Sequence, residues 1–177
     1  MACSTIKTFN LNLCEGNIGG VVKLYLANVD DVSAVTTGST SALTDDGIIE
    51  ITMSGTSKFQ EFPIKKNTAS FTSTLTVNDN GSSYVSSVLS FNMPHMKADK
   101  RAAMQALMLA EAVAIVKDSN GHYWMLGDQD NPLTNTAGTG ETGTAKGDAN
   151  QYTVEMTAEQ NIWPWEILPS AAEAVIA

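Results

Sequence analysis

Charge is scarce in this sequence, and basic charge scarcest of all. Asp, Glu, Lys and Arg make up 16% of the 177 residues, where a typical soluble domain carries about a quarter. Ten Lys and Arg stand against 19 Asp and Glu, a formal net charge of -9. Such a chain repels phosphate, which argues against tight, counterion-driven binding of nucleic acid. Passage of DNA past a negative surface stays open, because weak adhesion would help it. Cysteine is nearly missing too: Cys3 and Cys14 can form one bridge at most, not a disulfide framework. No His or Cys partner stands near them at zinc spacing, and they read as free thiols in a reducing compartment. Long apolar runs are also wanting. The opening "MACSTIKTFNLNLCEG" has no continuous apolar stretch of the signal-peptide kind. The most apolar segment, "AAMQALMLAEAVAIV", is interrupted by Gln105 and Glu111 and is too short to span a bilayer. A soluble protein made in the cytoplasm is expected.

What fills the place of charge is Thr, Ser, Asn and Gly, beside an ordinary hydrophobic share of 43%. That is the composition of a β-rich protein with a hydroxyl and amide surface. The length suits one domain, 1–177, with a core of its own.

Periodicity supports the same reading. "GGVVKLYLANV" (19–29) reads as a strand, followed by a Ser/Thr/Asp stretch, 30–47, expected as a long loop. "IIEITMSG" alternates, with Ile49, Ile51 and Met53 on one side. "TSKFQEFPI" continues extended, and Pro63 marks an end or an edge. "SFTSTLTV" is the clearest strand: Phe71, Ser73, Leu75 and Val77 share one face, and Thr72, Thr74 and Thr76 the other. "NDNG" turns the chain into "SYVSSVLSFNMP". The period then changes to helical over about 98–111, with Ala103, Met104, Leu107, Met108 and Ala110 on one stripe and Asp99 as an N-cap candidate. "AVAIVKD" and "HYWMLG" are two strands around Asn120–Gly121, a hairpin signal. The Gly/Thr/Asn/Asp-rich segment 128–151 is expected as one long loop that orders only on a neighbour's surface. "YTVEMTAE" is a last alternating strand. The segments 1–18 and 167–177 read as arms.

No segment carries a recognisable chemistry. "DSNGHYWMLGDQD" (118–130) concentrates Asp118, Asp128, Asp130 and His122, yet its glycine comes fourth where a calcium loop needs it sixth, and no closing Glu follows. His95 and His122 lack any nucleophile motif. The pairs Asp30–Asp31, Asp45–Asp46 and Asp128–Asp130 lie in turn-like stretches. "GTGETG" (138–143) lacks the Gly-Lys-Ser/Thr ending of a phosphate loop. Trp124, Trp163 and Trp165 could stack sugars, but aromatic residues more often pack in cores and interfaces. No catalytic, cofactor-binding or metal-ligating residue is therefore expected, and no cofactor.

The run "AVAIVKDSNGHYWMLGDQD" resembles the tail tube, or major tail, proteins of bacteriophages: an apolar strand, an Asp-x-Asn-Gly turn (Asp118, Asn120, Gly121), then an aromatic strand through Tyr123 and Trp124 ending in Leu126–Gly127. The order of strands, single helix, hairpin, loop and closing strand is compatible over about 19–166. The resemblance implies a mainly β fold, an antiparallel β-sandwich or barrel with one flanking helix. It implies a non-enzymatic virion protein, made in the host cytoplasm, that self-assembles into hexameric rings. The rings would stack into a conduit through which DNA leaves without specific binding, in contact with other tail proteins and with no membrane. Two other classes stand beside it: a virion or extracellular β-sandwich module that binds a glycan or receptor through its Trp residues, and an enzyme, for which no motif speaks.

Overall fold

A computed structural model describes residues 17–43 and 46–177. Cys3, Cys14, Asp45 and most of the expected N-terminal arm lie outside the described residues. The protein is mainly β: of the described residues, 52% are strand and 13% helix. The elements run β1 (Val21–Asn28), a single 3-10 turn (Val29–Asp31), β2 (Val32–Gly38), β3 (Gly47–Met53), β4 (Gln60–Phe62), β5 (Ala69–Val77), β6 (Ser83–Pro94), α1 (Ala98–Leu107), β7 (Glu111–Asp118), β8 (Tyr123–Leu126), β9 (Leu133–Glu141), β10 (Gln151–Gln160), β11 (Trp165–Ile167) and α2 (Pro169–Val175). The strand order is β2-β3-β11-β8-β7-β9-β10-β6-β5, with β1 added on β7 and β4 on β1. Among the described residues the strands pair antiparallel except at the parallel step Ile167↔Ile48, and an isolated parallel bridge joins Phe59 to Ile176.

β7 organises the molecule. One edge carries β1 along its whole length. The other carries β8 at residues 114–117 and then β9 at Glu111 and Ala112. Both faces of the β1–β7 pair are buried. Leu24, Leu26, Ala114 and Val116 face one core with Leu89, Phe91, Val154 and Met156 of the sheet β9-β10-β6-β5. Tyr25, Ala27, Val113 and Ile115 face a second core with Ile48, Ile51, Phe59, Ile167 and Ala172. This explains why "LYLA" (24–27) and "AVAIV" (112–116) are unbroken apolar runs, whereas the outer strands alternate. Phe91 is fully buried, so Phe91→Ala should cost about 3–5 kcal/mol.

The structure corrects several expectations. The polar stretch 30–47 contains β2, whose Val and Thr residues suit a pleated strand. In β3 the inward residues are Ile48 and Ile51 rather than Ile49 and Ile51. A register shift opposite Thr36 and Thr37 inserts Ile49 as an extra residue and breaks the alternation. The helix expected to reach 111 stops at Leu107, since Glu111 already pairs with Thr134 of β9. Lys97, not Asp99, is its N-cap, and Met108 lies beyond it, exposed. Segment 128–151 is not one loop, because β9 occupies its middle. Segment 167–177 is not a free arm: Ile167 belongs to β11, and Pro169 opens α2 at a position where its missing N–H costs nothing. Ala171, Ala172 and Val175 of α2 are buried in the second core.

Candidate functional site

The turn in "DSNGHYWMLGDQD" is built by its aspartate. Asp118 Oδ1 accepts the backbone N–H groups of Asn120 (2.8 Å) and His122 (2.9 Å), and Oδ2 accepts the Trp124 indole N–H (3.1 Å). Gly121 N–H closes onto Asp118 O, and Asp118 N–H onto His122 O. The result is a three-residue hairpin loop with Gly121 at φ 95. Asn120 does not take a left-handed angle here; its Oδ1 instead accepts the N–H of Ile18 (2.9 Å). Burial pushes the Asp118 carboxyl up, but the Trp124, His122 and Asn120 donors outweigh it and hold the group below its usual value. Three of its acceptor positions are taken up by the turn.

Other candidates also hold the fold together by hydrogen bonds. Asp128 Oδ1 accepts the N–H groups of Asp130 (3.0 Å) and Asn131 (2.7 Å), and Oδ2 takes Gln160 Nε2 (2.7 Å). Asp31 takes the Ser57 hydroxyl at 2.8 Å. His122 Nδ1 meets Glu166 Oε1 at 2.6 Å and ties β8 to β11. His95 sits at φ 63 before α1, with its N–H on Asn150 O. Gly138 and Gly140, from the phosphate-loop look-alike, are strand residues. A Cβ on Gly140 would stand 2.8 Å from the Tyr152 ring, and one on Gly138 would stand 3.0 Å from Met104 Cε. Among the described residues, no three His, Cys, Asp or Glu side chains converge as metal ligands.

What remains distinctive is a surface. The sheet β9-β10-β6-β5 turns one face to the core and the other outward. Direct partners across the ladders share a face, which fixes the outward set. β5 contributes Ser70, Thr72, Thr74 and Thr76; β6 contributes Tyr84, Ser86, Val88, Ser90 and Asn92. β10 adds Thr153, Glu155, Thr157 and Glu159, and β9 adds Ala137, Thr139 and Glu141. All are partly or fully exposed. The face is hydroxyl-rich, carries three carboxylates and has no Lys or Arg. Lysines lie elsewhere, as in the Lys23–Glu61 pair (3.1 Å) and Lys117 against the Tyr123 ring. No family model, curated protein or solved structure matches this chain.

Among the described residues both margins of this sheet are open: β5 pairs only with β6, and residues 135–141 of β9 pair only with β10. Their unpaired N–H and C=O groups are templates for another strand. β5 has no charged residue or proline to block such pairing, and β9 has only Glu141 at its end. Exposed apolar side chains also gather near β5. Leu75 (51% exposed) and Val77 (66%) continue the face of Phe71, beside a cleft of about 310 Å³ lined by Phe71, Ser73, Trp124, Trp163 and Pro164. Leu75 and Val77 do share a face with Phe71, as the alternation predicts, but this end of the strand overhangs the core and leaves them exposed.

Proposed function

We propose that the protein is a structural subunit of a bacteriophage tail tube, assembling into hexameric rings that stack around a DNA conduit. The observation that supports this reading best is the outward face of β9-β10-β6-β5, acidic and hydroxylated without a basic group, between two open edges. Four antiparallel strands placed side by side by rotational symmetry put β5 of one copy antiparallel to β9 of the next, so a closed ring has no parallel step. Six copies give about 24 strands. At about 4.8 Å spacing and about 40° tilt, the backbone ring is about 48 Å across, which leaves a duplex room inside a side-chain lining. A wall of Thr, Ser and Glu has no cation to displace the counterions on the phosphates, so DNA slides rather than sticks. Purified subunits imaged in negative stain should show rings or tubes. Sedimentation that finds only monomer over a wide concentration range, at low and high salt, would overturn the reading.

The cleft with Trp124 and Trp163 favours a second reading, a glycan-binding module. Its polar groups count against it. The Ser73 hydroxyl already bonds Ser87 at 2.8 Å, and the Trp124 N–H is held by Asp118. A sugar would find aromatic faces but few hydrogen-bond partners to orient it. Binding on a glycan array by a monomer would reverse this ranking.

A further inference from the structure

Exposed apolar side chains lie at both margins of the sheet β9-β10-β6-β5. At the β5 margin, Leu75, Val77 and Trp163 (55% exposed) flank the cleft beside Phe71 and Trp124. At the β9 margin, Met108 and Leu109 (84% exposed) form the corner between α1 and β7, beside a groove of about 350 Å³ lined by Met104, Met108, Asn135 and Gly138. β7 meets β9 at Glu111 and Thr134, so this corner stands where the open edge of β9 begins. We propose that the α1–β7 corner of one copy seats on Leu75, Val77 and Trp163 of the next copy in the ring. This seam presupposes the ring reading and adds the side chains that close it.

The two edges match in polarity. Asn92 N–H bonds Thr68 O. Alternation carried across the ladders then leaves the outward-pointing N–H and C=O groups of β5 on Phe71, Ser73 and Leu75, and those of β9 on Gly138 and Gly140. All of these residues lie on the core face, so pairing the edges aligns faces and hydrogen bonds together. The register follows from closure. Four strands measure about 19 Å across, and a tilt of about 35–45° displaces each copy by about 13–19 Å, or about four to six residues. Only an even shift keeps the faces aligned. Asn135 is level with Phe71 in its own sheet. With the hydroxylated face in the lumen, the right-handed coiling of barrel strands sets the neighbour's Leu75 or Val77 against it instead. Charge agrees: the same shift carries the exposed Lys65 and Lys66, just before β5, to the neighbour's β9–β10 hairpin tip, where Glu141 and Asp148 outnumber Lys146.

The test uses full-length protein with Cys3→Ser and Cys14→Ser. Leu75→Cys and Met108→Cys in one chain, treated with a short bismaleimide after assembly, should give a ladder of bands up to the hexamer on a denaturing gel and the linked peptide pair by mass spectrometry. A mixture of the two single-cysteine variants should give dimers only, and neither variant alone should cross-link. In parallel, Leu109→Asp should raise the concentration for half-assembly at least about tenfold. It should leave the melt of the single subunit unchanged, because Leu109 is exposed there. Tryptophan emission should shift to the blue as parent rings form and cover Trp163. Parent rings whose double-cysteine variant stays uncross-linked, or a Leu109→Asp variant that assembles normally, would overturn the seam and spare the ring. Cross-linking of Leu75→Cys alone would show β5 paired with β5 and overturn the seam as well. A parent that stays monomeric would overturn both seam and ring.

Discussion

Asp118→Ala should destabilise the protein well beyond an ordinary surface substitution. The side chain is half-buried and accepts three hydrogen bonds, two from the turn backbone and one from Trp124. Each such bond contributes about 1 kcal/mol net, toward the lower end where water can replace the acceptor, so the loss is about 2–3 kcal/mol. For 177 residues the unfolding entropy is about 0.37 kcal/mol/K, which converts that loss to a fall in Tm of about 5–8 °C. Asp118→Asn should fall between, because its carbonyl can still cap the turn while its NH₂ confronts the Trp124 N–H. The assay is a thermal melt of dilute subunits, followed by tryptophan fluorescence and circular dichroism. The pH dependence is fixed in sign. A carboxyl held below its usual value contributes stability that is present above the unfolded pKa and lost as pH falls through the folded one. The gap between parent and variant should thus persist from neutral pH to about pH 4 and close only below it. A variant melting within about a degree of the parent at pH 7, or a gap that closes by about pH 5, would refute the account of the turn.

Gly121→Val should cost at least about 1–3 kcal/mol through strain at φ 95, read as a lowered Tm with an unchanged far-ultraviolet spectrum. Thr72→Lys with Thr74→Lys places two cations on the outward face of β5. Assembled protein should then retain duplex DNA in a salt-sensitive gel shift, where the parent does not. Replacing the hairpin tip 142–149 by a two-residue turn should leave the melt nearly unchanged, because the tip is exposed and its bonds to Asp148 are internal. It should nevertheless shorten tubes in electron micrographs. Melts with EDTA, calcium or zinc should superimpose; a calcium-dependent rise lost in Asp118→Asn would reveal a site at the turn.

The mainly β class, the clear strands and the hairpin at Asn120–Gly121 were legible because period-2 alternation and turn residues are local signals. The misses share a cause of the opposite kind. β9, "LTNTAGTGE", has one large apolar residue; it is a strand because β10 offers a ladder, and its glycines make room for Tyr152 and Met104. β2 was hidden by Ser and Thr, which serve strand and loop alike. α2 is too short to show a helical period, and the second core beneath it holds it in place. The capping role of Asp118 was not legible, because its partners, Trp124 above all, are set by the fold of the turn rather than by spacing alone. The outward face of β5 and β6 could be read from the alternation of Thr and Ser, but its continuation across β10 and β9 depends on the order of strands in the sheet.

The doubly buried β1–β7 ladder has a consequence for the life of the nascent chain. β1 is complete at Asn28; three-residue β4 can pair with it earlier, but its long partner β7 ends at Asp118, so the full ladder waits for about 90 further residues, or about 5–20 s of translation. Neither core can close before then. Throughout that interval β5 and β6 can form a hairpin whose nine-residue outer strand carries no charge. Premature encounters on crowded ribosomes are therefore a hazard for this chain, and its yield should respond to slower initiation or added holdase chaperone.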